Sequence, residues 1–211
     1  KKAETSILGA GPARLIERCA EAVQSADRVL QIAKSNVRGI IEAAGGMDNA
    51  QHQAHGLAWL ATTVEGLRQM HVWAGRLNGE GRFGDFEQHL LALGFAEYCA
   101  QIAGGIPMSQ VEIIRVDALG VPKADIRKFE DSVADLIEEG STEPVKARLG
   151  ALISAQPDAM TFGDTGLDEI HGEIQNTMRS FCLDEVMPHA HEWHLENAYI
   201  PLEIIQKLAE I

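Results

Sequence analysis

The stretch that decides the fold lies at residues 181–211 and reads Phe181-Cys182-Leu183-Asp184-Glu185-Val186-Met187-Pro188, continues through Trp193-His194, and finishes as Ile200-Pro201-Leu202-Glu203-Ile204-Ile205-Gln206-Lys207-Leu208-Ala209-Glu210-Ile211. It predicts a helix, a break marked by Pro188, a short polar connection, and a second amphipathic helix opened by Pro201. The second helix stops at apolar Ile211 without a capping residue, which leaves carbonyl groups and an apolar face uncovered. We therefore expect the chain to be truncated, part of a longer protein.

Composition favours a soluble, all-α protein. Of the 211 residues, 45% are apolar and only 5% are aromatic, and helix-forming Ala, Leu and Glu are abundant. The net charge of −13 argues against a nucleic-acid partner, because phosphate binding needs clustered Lys and Arg. No apolar run approaches the roughly 20 residues of a membrane helix. Cys19, Cys99 and Cys182 lie far apart in apolar helical runs, which indicates buried, reduced thiols and a cytoplasmic location.

Apolar periodicity predicts a bundle ahead of this last stretch. Steps of three and four residues predict three long helices joined by Gly-rich turns, at about Pro12–Ala44, Asp48–Leu77 and Phe83–Ala103. The second of these is apolar on two faces, so we expect it to be central, with neighbours on both sides. The β-branched stretch Met108–Val121 is interpreted as a short strand or an extended loop.

Two further helices are predicted before a turn-rich joint. They cover about Pro122–Glu139 and Glu143–Ala155, and the joint contains Gln156-Pro157-Asp158 and Phe162-Gly163-Asp164-Thr165-Gly166. We place a domain boundary near residue 160, giving a helical extension at residues 1–160 and a second helical region at 161–211. The helix after the joint begins near Leu167 or Asp168 and is expected to end at Val186 or Met187.

The second region resembles the opening of the acyl-CoA dehydrogenase fold. The residues that support the resemblance are Glu185-Val186-Met187-Pro188, Glu192-Trp193 and Ile200-Pro201-Leu202, and it covers about Phe162–Ile211. It implies that the chain is a helical bundle followed by the first helices of an acyl-CoA dehydrogenase-like α-domain. It also implies that a β-barrel-type middle region follows in the longer protein.

Three further stretches resemble one branch of the same superfamily, in which a helical extension precedes the dehydrogenase domain. They are Gln51 to Met70, Gly81-Arg82-Phe83-Gly84, and Gly104 to Ile113. For this branch the implied reaction is the oxidation of (2S)-methylsuccinyl-CoA to mesaconyl-CoA in the ethylmalonyl-CoA pathway. An acyl-CoA dehydrogenase with another substrate specificity is the nearest alternative.

The resemblance also implies how the whole enzyme would work. A glutamate base removes the α proton of the acyl-CoA substrate, the β hydride passes to FAD, and the electrons leave through an electron-transfer flavoprotein. A homo-oligomer is expected. The catalytic glutamate and the FAD contacts are expected beyond Ile211, so no catalytic, cofactor-binding or metal residue is assigned here, and the chain alone is expected to be inactive.

Two groups of histidines are candidate metal ligands. His52 and His55 lie about one turn apart and could chelate zinc if further ligands came from elsewhere. Without HExxH or a nearby cysteine, a polar first helical turn is the preferred interpretation. His189, His191 and His194 match no zinc spacing and are interpreted as a surface loop, although Glu192 or Glu196 could support a metal-bound histidine.

The remaining sequence motifs do not predict a catalytic or nucleotide-binding site. The acidic residues between positions 125 and 139 are interpreted as a solvated helix face: Asp125, Glu130, Asp131, Asp135, Glu138 and Glu139. Neither a Walker lysine, a dinucleotide-binding glycine pattern nor a nucleophile elbow is present. Two alternatives of another class stay open, namely a non-catalytic helical interaction module and a metal-binding bundle that uses His52 and His55.

Overall fold

A computed structural model describes residues 6–159 and 161–211. The chain divides into two compact units, unit 1 at Lys1–Asp164 and unit 2 at Thr165–Ile211. The predicted all-α class is confirmed, since the sheet in the described residues is a single antiparallel pair of two-residue strands. No described helix is both long enough and apolar enough to cross a membrane.

Unit 1 is a bundle of long helices with a small hairpin at one side. Within its described residues the α-helices are α1 Pro12–Ala43, α2 Gln51–Gly79, α3 Asp85–Gly104, α4 Lys123–Gly140 and α5 Glu143–Ser154. Strands β1 Ile106–Pro107 and β2 Ile113–Ile114 pair antiparallel, with Ile106 opposite Ile114. Short 3₁₀ turns cover Met47–Asn49 and Val116–Leu119.

The predicted helix ends differ from the observed ones where a tighter turn competes. Asp48 does not cap the second helix, because Met47–Asn49 forms a separate 3₁₀ turn and α2 starts at Gln51. The stretch Met108–Val121, for which a short strand and an extended loop were the two predictions, contains one strand, a hairpin turn and a 3₁₀ turn. The turn between α1 and α2 was read correctly, since Gly45 has a φ of 79°, which favours glycine.

The core of unit 1 lies between α1, α2, α3 and α4. Phe95 on α3 and Phe129 on α4 are the largest of its fully buried side chains. As predicted, α2 has neighbours on both sides, since it packs against α1 and α3. On one of its two apolar faces, the side chains of Leu60, Val64 and Leu67 are fully buried.

Two glycines allow close approach of neighbouring elements in unit 1. A Cβ on Gly140, the last residue of α4, would overlap the carbonyl oxygen of Ala92 on α3. A Cβ on Gly56 of α2 would overlap the side chain of Ile114 on β2. The absence of a side chain at these two positions therefore sets the spacing of α3 from α4 and of α2 from the hairpin.

Unit 2 contains shorter helices. Its elements are α6 Glu169–Phe181, a π-helical segment Cys182–Val186, α7 Met187–Leu195 and α8 Leu202–Ala209. Asp168 caps α6, because its side chain accepts a hydrogen bond from the His171 N–H at 2.9 Å. Lys207 on α8 is 2.6 Å from the Glu185 carboxylate in the π-helical segment.

The predicted break and polar loop at residues 188–194 are wrong. Pro188 is the second residue of α7 and directly follows the π-helical segment, where the regular hydrogen-bond ladder is already interrupted and tolerates a missing N–H. The preceding π-helical segment widens the helix by one residue per turn, and the Met187 N–H bonds the Cys182 carbonyl across five residues. The chain therefore continues helically through the proline, and His189, His191 and His194 lie on a helix.

Candidate functional site

Among residues 6–159 and 161–211, no group of three or more His, Cys, Asp or Glu side chains is placed to hold a metal ion. Each unit does contain open clefts, and unit 1 also contains polar side chains that connect its helices.

The first histidine pair lines an open cleft of about 660 Å³ at the start of α2. His52 Nδ1 lies 3.4 Å from Glu112 Oε1 of the hairpin turn, an ion pair that exists only when the imidazole is protonated. His55 Nε2 accepts a hydrogen bond from Trp59 Nε1 at 2.9 Å. This indole bond occupies Nε2 of His55, and the described residues bring no third His, Cys, Asp or Glu into a metal-binding group with the pair, so the metal-binding interpretation gains no geometric support.

The second histidine group is distributed along α7 in unit 2. The His189 ring stacks on Trp193, with ring centroids 5.7 Å apart. Pro188, His189, His191 and His194 are all exposed, whereas Trp193 is half-buried. At about 100° per residue, His191 and His194 share one side of α7 and His189 lies on the opposite side, so the three imidazoles do not converge.

A polar seam joins α1 to α4 within unit 1. Both carboxylate oxygens of Asp135 accept from the Arg18 guanidinium, at 2.8 and 2.6 Å, and Arg18 also donates to the Ser132 carbonyl at 2.9 Å. The hydroxyls of Ser132 and Ser25 lie 2.8 Å apart across the same seam. Hydrogen bonds from Arg18 lower the pKa of Asp135, and the Asp135 bond raises the pKa of Arg18 above its ordinary value.

The seam corrects the interpretation of the acidic residues on α4. Exposed Glu130, Asp131 and Glu138 agree with a solvated face. Asp135 instead pairs with Arg18, and Glu139 accepts the backbone N–H of Ile7 at 2.7 Å. These two carboxylates connect helices or chain segments, so they are structural groups.

The three cysteines are free thiols. Cys19 and Cys99 are buried, as expected, and burial raises the pKa of both, that of Cys99 to about 12. Thiols with raised pKa values are poor nucleophiles at neutral pH. Cys182 is exposed in the π-helical segment, so the expectation that all three are buried is wrong for this residue.

Unit 1 leaves an apolar seam exposed between α2 and α3. Here Tyr98 of α3 packs over Gly66 of α2, and Met70 of α2 packs against Gly94 of α3. Along this seam Trp59 is 37% exposed and Tyr98 39% exposed. Large aromatic side chains that stay partly exposed on adjacent helices are typical of contact surfaces.

Unit 2 exposes a larger share of its apolar residues. None of the residues in α6, the π-helical segment, α7 or α8 is buried. An open groove of about 490 Å³ is lined by residues of α6 and of the C-terminal segment that includes α8: Ile170, Glu173, Ile174, Thr177, Met178, Leu208 and Ile211. The helices of unit 2 therefore present an apolar face that its own described residues do not cover.

The polar contacts around Asp164 were missed by sequence reasoning. Trp73, Arg82 and Glu87 all bind this residue, at separations of 91, 82 and 77 positions along the chain. The one local signal was Glu87, three residues after Gly84, which is the spacing of a helix-capping glutamate. Nothing in the sequence indicated that this carboxylate also binds a distant backbone group.

Both units are similar in sequence to known proteins. Residues 168–211 match the model of the acyl-CoA dehydrogenase N-terminal domain. The chain is 41% identical over 202 residues to a (2S)-methylsuccinyl-CoA dehydrogenase of Cereibacter sphaeroides. The aligned part is 93% of this chain and 36% of that relative, so the chain spans about a third of the length of the protein it matches. The predicted resemblance to the acyl-CoA dehydrogenase family is thereby confirmed, over nearly the whole chain and, for the family's N-terminal domain, at residues 168–211.

Proposed function

We propose that this chain is the N-terminal part of an FAD-dependent acyl-CoA dehydrogenase that oxidises (2S)-methylsuccinyl-CoA to mesaconyl-CoA. The observation that supports the proposal is the 41% identity to a (2S)-methylsuccinyl-CoA dehydrogenase across 93% of the chain, since it includes unit 1 as well as the family-matching helices. Unit 1 is then the helical extension, and unit 2 is the start of the dehydrogenase α-domain.

The residues present do not fit FAD. Its pyrophosphate needs backbone N–H groups at a glycine-rich turn or cationic side chains. Neither Lys nor Arg lines any of four clefts found in the described residues, and the largest contains two carboxylates, Asp48 and Glu112. The cofactor, the catalytic base and the acyl-CoA pocket are therefore proposed to lie in the rest of the enzyme, as is the site that meets an electron-transfer flavoprotein.

For unit 1 we propose a packing role. The exposed seam between α2 and α3 offers Trp59 and Tyr98 as contact residues, and it lies beside a well-packed core that keeps these side chains in place. Contacts of this kind would support the dehydrogenase portion or an oligomer of the enzyme. Deletion of residues 1–160 from the whole enzyme is expected to weaken assembly or thermal stability, and unchanged assembly, stability and turnover would contradict this role.

The proposed reaction is tested on the whole protein that contains this chain. We expect it to purify with bound flavin and to reduce an artificial electron acceptor with (2S)-methylsuccinyl-CoA, while the 211-residue chain shows neither property. Succinyl-CoA and butyryl-CoA are the comparison substrates, because faster oxidation of either would indicate an acyl-CoA dehydrogenase of other specificity. Absence of flavin and of all activity would favour the non-catalytic interaction module.

A further inference from the structure

The last residues of unit 1 are held by side chains from α2, from the α2–α3 turn and from α3. Trp73 Nε1 of α2 donates a hydrogen bond to the Asp164 carbonyl at 2.9 Å. The Arg82 guanidinium of the turn binds both carboxylate oxygens of Asp164, with Nε 2.7 Å from Oδ2. The Asp164 N–H donates to Glu87 Oε1 of α3 at 2.7 Å. One residue is thus fixed through its carbonyl, its amide and its side chain.

Glu87 is a buried carboxylate, 6% exposed, with both oxygens occupied by backbone N–H donors. Oε1 accepts from Asp164 and Oε2 accepts from Gly84 at 3.1 Å. Its position in the first turn of α3 favours the negative charge, because helix N-termini carry a partial positive charge. A glutamine here could accept only one of the two N–H groups, since its other terminal atom is itself a donor.

The backbone at Gly163, the residue before Asp164, packs closely against Phe86 of α3. Its φ is 71°, a left-handed conformation that favours glycine, and a Cβ would lie 2.5 Å from Cδ1 of Phe86. The hydrogen bonds that Arg82 donates to Asp164 raise the pKa of Arg82, so the guanidinium stays charged at every physiological pH. Charge-assisted, bidentate bonds of this type fix geometry as well as adding stability.

We infer that Trp73, Arg82, Glu87 and Asp164 form an exit clasp, a conformational device that makes residues 163–164 a rigid part of unit 1. The clasp ties the end of α2, the α2–α3 turn and the start of α3 to the segment from which the chain continues into unit 2. It therefore fixes the point of departure from the bundle, and its loss would release the connecting segment while the core of unit 1 stays folded.

Hydrogen exchange of the 211-residue chain tests the clasp at the Asp164 amide. In Glu87→Ala, which removes both acceptor oxygens, and in Arg82→Ala we expect this amide to exchange about tenfold to a hundredfold faster, the effect of losing a hydrogen bond to a charged group. Arg148→Ala is the matched control, because Arg148 binds Asp85 at the same end of α3, with Nε 2.7 Å from Oδ2, and takes part in none of the Asp164 bonds described above. The control should leave the Asp164 amide unchanged.

A second readout separates the clasp from general destabilisation. Core amides of α1 and α3, followed in the same experiment, should keep their protection in Arg82→Ala, because Arg82 is exposed and outside the core. Chymotrypsin should then cut faster after Phe162 in this variant than in Arg148→Ala. Unchanged exchange at Asp164 in both clasp variants, or loss of protection throughout unit 1 in Arg82→Ala, would overturn the inference.

Discussion

Unit 1 and unit 2 are both built from amphipathic helices, but they bury their apolar faces to very different extents. In unit 1 the apolar stripes of α1 to α4 face each other, and side chains such as Phe95 and Leu136 have no exposed surface. In unit 2 no residue of α6 to α8 is buried, and Ile170 is 69% exposed. Amphipathic helices therefore form a closed apolar core in unit 1, whereas in unit 2 their apolar face stays exposed.

The difference has an energetic consequence. Burial of a Leu or Phe side chain stabilises a fold by about 1.5–3 kcal/mol, and unit 1 gains this many times over. Helices shorter than about 12–15 residues are marginal in water unless their apolar face is packed. With only eight residues in α8, this helix of unit 2 depends on such packing. Additional protein over its apolar groove, as the proposed dehydrogenase domain would supply, would provide it.

Truncation of one leucine in each unit is expected to give the largest contrast. Leu136→Ala in unit 1 should lower the free energy of unfolding of the core by about 3 kcal/mol, through lost burial and a cavity. Leu208→Ala in unit 2, where the side chain is 41% exposed, should change it by about 0.5 kcal/mol or less. Urea unfolding followed by circular dichroism measures both, and equal losses would mean that the units do not differ in this way.

Glycine substitutions sharpen the description of the unit 1 core. Gly140→Ala should destabilise the chain by about 1–3 kcal/mol, because its Cβ would overlap the Ala92 carbonyl and force α4 away from α3. Gly150→Ala on α5 is the matched control, since nothing lies within 4 Å of its added Cβ. It should stabilise by about 0.4–1 kcal/mol through the unfolded chain. Calorimetric melting temperatures that move in the same direction would contradict the close approach of α3 and α4.

The polar seam should give the smallest effect and a defined pH dependence. Because Arg18 lowers the pKa of Asp135 in the folded chain, the stabilisation is complete above the ordinary value of 3.8 and is lost as the pH falls through the folded value. Asp135→Asn should cost about 1 kcal/mol or less at pH 7 and reduce the loss of stability in acid.

Asp131→Asn provides the control for the seam. Asp131 is exposed on the same helix and should contribute little at either pH. Unfolding curves at pH 7 and pH 3 compare the two variants. The same acid response in Asp135→Asn as in the unmodified chain would show that the Arg18 pair does not act in this way.

Much of unit 1 could be predicted because its helices depend on local pattern. Apolar residues at steps of three and four placed α1 to α5 within about two residues of their observed ends, apart from the start of α2. Other features depend on neighbours that a sequence does not show. Pro188 was read as a helix end because the π-helical segment before it had no recognisable pattern. The pairing of Asp135 with Arg18 spans 117 positions, so its carboxylate was grouped with its solvated neighbours.

The resemblance to the acyl-CoA dehydrogenase family was predictable from the sequence for a different reason. Motif residues such as Glu185, Pro188, Trp193 and Pro201 keep their spacing whether the segment between them is a loop or a helix. The resemblance was therefore recognised even though the local structure around Pro188 was misread. No catalytic or cofactor-binding residue was assigned from the sequence, and none of four clefts in the described residues is lined by Lys or Arg.

Hydrogen exchange of α6 and α8, compared between the 211-residue chain and the whole enzyme, tests most directly whether unit 2 needs a cover. In the 211-residue chain, core amides of α1 and α3 should exchange orders of magnitude more slowly than those of α6 and α8. In the whole enzyme α6 and α8 should become protected to a similar degree. Protection of α6 and α8 equal to that of α1 in the 211-residue chain would contradict the dependence of unit 2 on further protein.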